Sequence, residues 1–132
     1  MDSAPRRRRV LVVEDEGLIA SHLAELLGDN GYAVVGPAGT VQAALRLAQD
    51  EIVDIAILDL NLCGEPTEPV ASLLAQRGVP VLLTTGHSRR YVRTRFRDLP
   101  YLEKPVSGAK LCATIAQMLA GRIGQAEPLI QA

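Results

Sequence analysis

Only two cysteines occur in the chain, Cys63 and Cys112. They lie far apart and in no metal-ligand spacing, so each is expected as a free thiol rather than half of a bridge. Two free thiols fit a reducing cytoplasm, and that is the compartment expected. Long hydrophobic runs are also missing, none approaching the ~18 residues that span a bilayer. The basic start, MDSAPRRRR, is followed only by Val10 to Val13 before Glu14, Asp15 and Glu16, so it is no secretory signal. Charge of one sign is not in excess: 14 Lys and Arg oppose 15 Asp and Glu, for a net charge of −1. Nothing in that balance draws the chain as a whole toward nucleic acid or a membrane. The GxxxxGK pattern is absent, which excludes a P-loop nucleotide site. No internal repeat or low-complexity segment is present. What remains is ordinary: 132 residues, 48% hydrophobic and 22% charged, enough for one globular domain with its own core.

The most informative stretch is Asp54 to Gly64, DIAILDLNLCG. Ile55 to Leu58 is an apolar run of strand length, and it ends in a carboxylate, Asp59. Such a run reads as a strand buried on both faces. A short loop, Leu60 to Gly64, is expected after it. Val10 to Val13 is a second apolar run that ends in acid. Gly17 to Asp29 carries Leu18, Ile19, Leu23, Leu26 and Leu27 at helical spacing. Tyr32 to Val35 reads as a short strand, with Gly36, Pro37 and Gly39 breaking the chain. Thr40 caps a helix with Val41, Ala44, Leu45 and Ala48 on one face. A third helix runs to Arg77, a strand spans Val79 to Thr84, and a basic helix is expected over Ser88 to Arg97. Leu99 to Glu103 is the fifth strand, and Ser107 caps a last helix bearing Leu111, Ile115, Met118 and Leu119. Five β-then-α units at this spacing predict a parallel sheet with helices on both faces.

Four of the five strands end in residues able to do chemistry: Glu14 and Asp15, Asp59, Thr85, and Lys104. A parallel sheet brings these ends to one edge, where α/β proteins bind ligands. Carboxylates packed together repel unless a cation lies between them. A hard divalent ion such as Mg2+ answers that need. Acids, a metal, a lysine and a hydroxyl around one carboxylate make a phosphoryl site, and the carboxylate can itself be the nucleophile.

The ordered set VLVVEDE, DIAILDL, VPVLLTTG and YLEKP, each at a strand end, resembles the receiver domain of two-component response regulators over residues 9 to about 121. The resemblance implies a CheY-like, doubly wound α/β fold, with a five-stranded parallel sheet in the order 2-1-3-4-5 and five helices. It implies that Asp59 accepts a phosphoryl group from a sensor histidine kinase or a histidine phosphotransfer protein. Glu14, Asp15, Asp59 and the backbone carbonyl of Asn61 would hold Mg2+. Thr85, Gly86 and Lys104 would bind the phosphoryl group, the Lys104–Pro105 bond would be cis, and Tyr101 would be a switch coupled to Thr85. Asn61 is a candidate for tuning the phosphoryl lifetime, and His87, two residues after Thr85 at the edge of the site, either tunes it too or faces solvent. Beyond its own phosphorylation and slow dephosphorylation, no enzyme activity is implied. The triplet Thr84, Thr85 and Gly86 resembles that of a receiver subgroup named for a Phe-Ala-Thr-Gly motif, with Leu83 and Thr84 in place of Phe and Ala. Cys63 stands where the family usually carries proline.

Three further expectations concern organisation. Residues 1–8 form a disordered basic arm, 9–121 the receiver and 122–132 a tail too short for a second core, so the chain stands alone without a DNA-binding output domain. A receiver module of a hybrid kinase, or a scaffold that works without phosphorylation, is the alternative. Arg89, Arg93 and Arg97 fall four apart on the basic helix. Either they form a solvated face, or they dock an acidic downstream protein or a second copy in a weak homodimer, on the face between the fourth and fifth helices. Phosphatases of the haloacid-dehalogenase type also form an aspartyl phosphate, but they need an acid two residues after the nucleophile. That position here is Asn61.

Overall fold

The computed structural model describes residues 6–86 and 98–121. The elements in chain order are β1 (Arg9–Val13), α1 (Gly17–Asp29), β2 (Ala33–Ala38), α2 (Val41–Asp50), β3 (Ile55–Asp59), β4 (Asn61–Leu62), β5 (Glu65–Pro66), α3 (Glu68–Gln76), β6 (Val81–Thr85), β7 (Tyr101–Glu103) and α4 (Gly108–Leu119). The main sheet is parallel and ordered β2-β1-β3-β6-β7, which is the order 2-1-3-4-5 counted over its own five strands. Four helices lie among the described residues. The helix expected over Ser88 to Arg97 lies outside them.

Alternation along the strands builds two cores. Leu11, Val13, Ala56, Leu58, Val81 and Leu83 face α2 and α3 and pack with Ala44, Ala48, Val70 and Leu74. Val10, Val12, Ile55, Ile57 and Leu82 face the other way, against Leu23 and Leu27 of α1 and Leu111, Ile115 and Met118 of α4. Every residue of β3 is buried, as a central strand between two helical layers requires. α2 and α4 begin with side-chain caps: Thr40 Oγ1 accepts from Ala43 N at 3.1 Å, and Ser107 Oγ accepts from Lys110 N at 3.0 Å. The far end of α2 is held by Arg77, just past α3. Its guanidinium donates to the carbonyls of Ala48, Gln49 and Glu51, where the helix leaves carbonyls without partners.

Two details differ from the sequence expectation. The strand expected to stop at Val35 continues to Ala38. Val35 pairs with Leu11 and Ala38 with Val13, so β2 carries one extra residue as a bulge. Gly36, at φ 99°, absorbs it, and the Gly36–Pro37 peptide is cis. A proline is tolerated there because β2 is an edge strand. The second difference is the expected loop after Asp59, which is an antiparallel hairpin, Asn61 opposite Pro66 and Leu62 opposite Glu65. Its two central residues, Cys63 (φ 48°) and Gly64 (φ 86°), both have positive φ, as a tight two-residue hairpin turn requires.

At the N-terminal edge of the sheet, Asp54 binds the start of β1. Its carboxylate accepts from Arg9 N at 2.7 Å and from both terminal nitrogens of Arg6 at 3.0 Å. Arg6, placed by sequence in a basic arm, is thus tied to the domain. Residues 1–5 and 122–132 lie outside the described residues. No helix among the described residues is long and apolar enough to cross a membrane.

Candidate functional site

The opposite edge gathers the polar strand ends. Glu14 and Asp15 follow β1, Asp59 ends β3, Thr85 ends β6, and Lys104 follows β7. One carboxylate oxygen from each of Glu14, Asp15 and Asp59 lies within 4.8 Å of the others. Lys104 Nζ bridges two of these acids, at 2.9 Å from Glu14 Oε1 and 3.0 Å from Asp59 Oδ2. Its backbone is fixed as well, because Lys104 N donates to Thr85 O at 2.8 Å. The Lys104–Pro105 peptide is cis.

Burial makes the electrostatics consequential. Glu14 is 3% exposed and Asp59 7%. Burial pushes the Glu14 carboxyl above its usual value and Asp59 adds to the rise, against hydrogen bonds from Lys104 and Glu16 N. Burial alone would lower the Lys104 ammonium, but its bonds to Glu14 and Asp59 outweigh that and leave it raised. Asp15 is exposed and is held below the usual carboxylate range, chiefly by Cys63 N, which donates to its Oδ2 at 2.8 Å. The hairpin turn therefore faces one of the three acids directly. Proline at position 63 would lack that N–H. Asn61 N donates to Asp59 Oδ1 at 3.3 Å, while Asn61 Oδ1 accepts from Gly64 N at 3.0 Å and closes the turn.

Thr85 is buried, and Tyr101 packs against the core on the α2–α3 side. Gly86 is exposed, and a Cβ built on it meets nothing within 4 Å. His87, Arg89, Arg93 and Arg97 lie outside the described residues. Sequence reasoning passed over Thr67. It is fully buried, and its hydroxyl donates toward the carbonyls of Asp59, at 2.8 Å, and Leu60, at 3.1 Å. The available signal was its place eight residues after Asp59, but a threonine before a helix reads first as a cap.

Beside the site runs an apolar groove of about 270 Å³, bordered by Leu18, Ile19 and His22 of α1 and by Lys104, Pro105 and Val106. Leu18 is 89% exposed at its rim. The donor set suits a hard cation, because three carboxylates converge. The arrangement as a whole can bind a divalent ion, present a carboxylate nucleophile, and meet the three oxygens of a phosphoryl group with an ammonium.

Residues 10–116 match the model of the response regulator receiver domain. The transcriptional regulatory protein PdtaR of Mycobacterium tuberculosis is 38% identical over 112 residues, 82% of this chain and 55% of the relative. The chain thus spans about half the length of that relative. The solution structure of SdrG from Sphingomonas melonis Fr1 is 40% identical, with a TM-score of 0.76 over 88% of this chain and 99% of that one. A second SdrG structure, described as the BeF3-activated conformation from Pseudomonas melonis Fr1, is 41% identical, with a TM-score of 0.72 over 84% of this chain and 95% of that one. With the family pattern matched from the first strand into the last helix, and with these relatives beside it, the chain belongs to the response regulator receiver domain family.

Proposed function

We propose that Asp59 is the phosphoacceptor of a phosphorylation switch that works with Mg2+ held by Glu14, Asp15 and Asp59, together with the Asn61 carbonyl. The observation that carries this reading is the Lys104 ammonium, shared between Glu14 and Asp59 at 2.9 and 3.0 Å inside a cluster of three carboxylates. Bound Mg2+ supplies charge neutralisation for the carboxylates and for the oxygens of the incoming phosphoryl group. A carboxylate oxygen of Asp59 forms the new bond to phosphorus as the donor's N–P bond breaks, and the leaving imidazole takes a proton. Lys104 keeps its proton throughout and transfers its hydrogen bond from the Asp59 carboxylate to a phosphoryl oxygen. Gly86 leaves open space beside the site for that group. The Thr85 hydroxyl then follows the phosphoryl oxygens, and Tyr101 takes the space it vacates.

The donor is a histidine kinase or a histidine phosphotransfer protein. A phosphohistidine presented on a helix needs an apolar seat beside Asp59, and the groove rimmed by exposed Leu18 offers one. The output is a changed protein-binding surface. The domain promotes its own phosphorylation and acts on no other substrate.

The test is labelling with phosphoramidate in Mg2+. Wild type should gain one phosphoryl group, located on Asp59 by mass spectrometry, and Asp59→Asn none. Removal of Mg2+ with EDTA should abolish labelling. Beryllium fluoride, the reagent named for SdrG, should shift the Thr85 and Tyr101 resonances of wild type only. Full labelling of Asp59→Asn would remove Asp59 from the role.

A further inference from the structure

Thr67 is the N-cap residue of α3, where a threonine ordinarily accepts an N–H of the first helical turn. It makes no such bond. Its hydroxyl is directed backwards instead, 2.8 Å from Asp59 O and 3.1 Å from Leu60 O, and Thr67 N reaches Leu60 O at 3.3 Å. The hydroxyl has one proton and is closed off from water, with the residue 0% exposed. Those two carbonyls lie where the strand ladder ends, since β3 stops at Asp59. The peptide plane after Asp59 sets the backbone dihedral beside its Cα, and so the direction of its carboxylate. A stiff β-branched side chain anchored in a helix is a suitable clamp for it.

We infer that Thr67 is a positioning residue for phosphoryl transfer: its hydroxyl fixes the Asp59–Leu60 backbone and thereby aims the Asp59 carboxylate at the incoming phosphorus. This inference rests on the reading of Asp59 as phosphoacceptor. It gives a purpose to a cap that the helix forgoes, and it makes the start of α3 part of the site although Thr67 touches no reacting atom.

The experiment compares Thr67→Val, which keeps the shape and loses the hydroxyl, with Thr67→Ser, which keeps the hydroxyl and loses the methyl. Val70→Ala is the control. It removes buried methyl groups from the same helix and leaves the Thr67 hydroxyl and its bonds to the Asp59 and Leu60 carbonyls in place. Phosphorylation of the full chain by phosphoramidate is followed at saturating Mg2+, below every variant's melting temperature. A misplacement of ~1 Å can slow a reaction about a hundredfold, and a slackened peptide plane moves the carboxylate less, so Thr67→Val should lower the saturated rate by roughly 5- to 30-fold. The phosphoramidate concentration at half-rate should stay within about twofold, because ground-state binding is untouched. Thr67→Ser should transfer within about threefold of wild type even where it melts earlier, and Val70→Ala should be destabilised without slowing. A wild-type rate in Thr67→Val, equal slowing in Val70→Ala, or a slow Thr67→Ser would each overturn the inference. The Thr67→Ser result decides even if Thr67→Val does not fold. Failure of the wild type to label on Asp59 would instead overturn the phosphoacceptor reading beneath it.

Discussion

Glu14 carries a charge that the fold does not favour. It is 3% exposed, and burial raises its pKa by more than the hydrogen bonds from Lys104 and Glu16 N lower it, with Asp59 adding a smaller repulsion. An acid whose folded pKa lies above its unfolded one stabilises the fold below the unfolded value and loses that contribution as pH rises through the folded value. Glu14→Gln should therefore melt at or above wild type at neutral pH in EDTA. The difference should vanish on acidification below the ordinary value of 4.5, where wild-type Glu14 is protonated. The same variant should bind Mg2+ more weakly by calorimetry, so stability and metal affinity move in opposite directions. A lower neutral-pH melting temperature for Glu14→Gln would show that the bond to Lys104 outweighs burial. The residues of this site were legible because each follows an apolar run, and a parallel sheet aligns such ends. Thr67 was not, since its hydroxyl turns toward the strand end behind it, away from the helix it precedes.

At the scale of elements, the strands and helices could be read from periodicity, but the backbone between them could not. The β4–β5 hairpin turns through a cysteine at φ 48°, a conformation that sequence patterns reserve for glycine or asparagine. β2 passes through Gly36–Pro37, a pair that ordinarily punctuates the chain. Two glycines of positive φ, Gly64 in the hairpin turn and Gly36 in the β2 bulge, separate conformational strain from crowding. A Cβ on Gly64 (φ 86°) meets nothing within 4 Å, whereas one on Gly36 (φ 99°) lies 2.9 Å from Ala38 N and 3.0 Å from Val12 O. Gly64→Ala should cost roughly 1–2 kcal/mol, the left-handed penalty alone. Gly36→Ala should cost roughly 2–4 kcal/mol, because backbone must also move. Urea denaturation of the two variants checks the order, and equal losses would mean that the bulge relaxes freely.

Across the whole molecule the two edges of the sheet respond oppositely to pH. At the N-terminal edge, burial raises Asp54, but the Arg6 hydrogen bonds, Arg9 N and nearby charge outweigh it and leave the carboxyl lowered. An acid with a depressed folded pKa stabilises above its unfolded value and loses that contribution as pH falls through the folded one. Asp54→Asn should thus be less stable than wild type at neutral pH, by about 1 kcal/mol given how exposed Arg6 is. The gap should narrow as pH falls below the ordinary value of 3.8. Urea titrations from pH 3 to 7 test this, and a gap that stays constant would exclude Asp54 as the titrating group.

One guanidinium gives the α2–α3 layer a mechanical character. Thr67, at the start of α3, is fastened to the Asp59 carbonyl, and Arg77, at its end, is fastened to the last carbonyls of α2. The nine residues between them form a rigid rod of about 13 Å. Between those two ends Val70 and Leu74 pack in the core beneath the sheet, and the start of α3 rests on the Asp59 backbone. The end of the central strand is thereby joined, through α3, to a second helix that bears none of the site's residues.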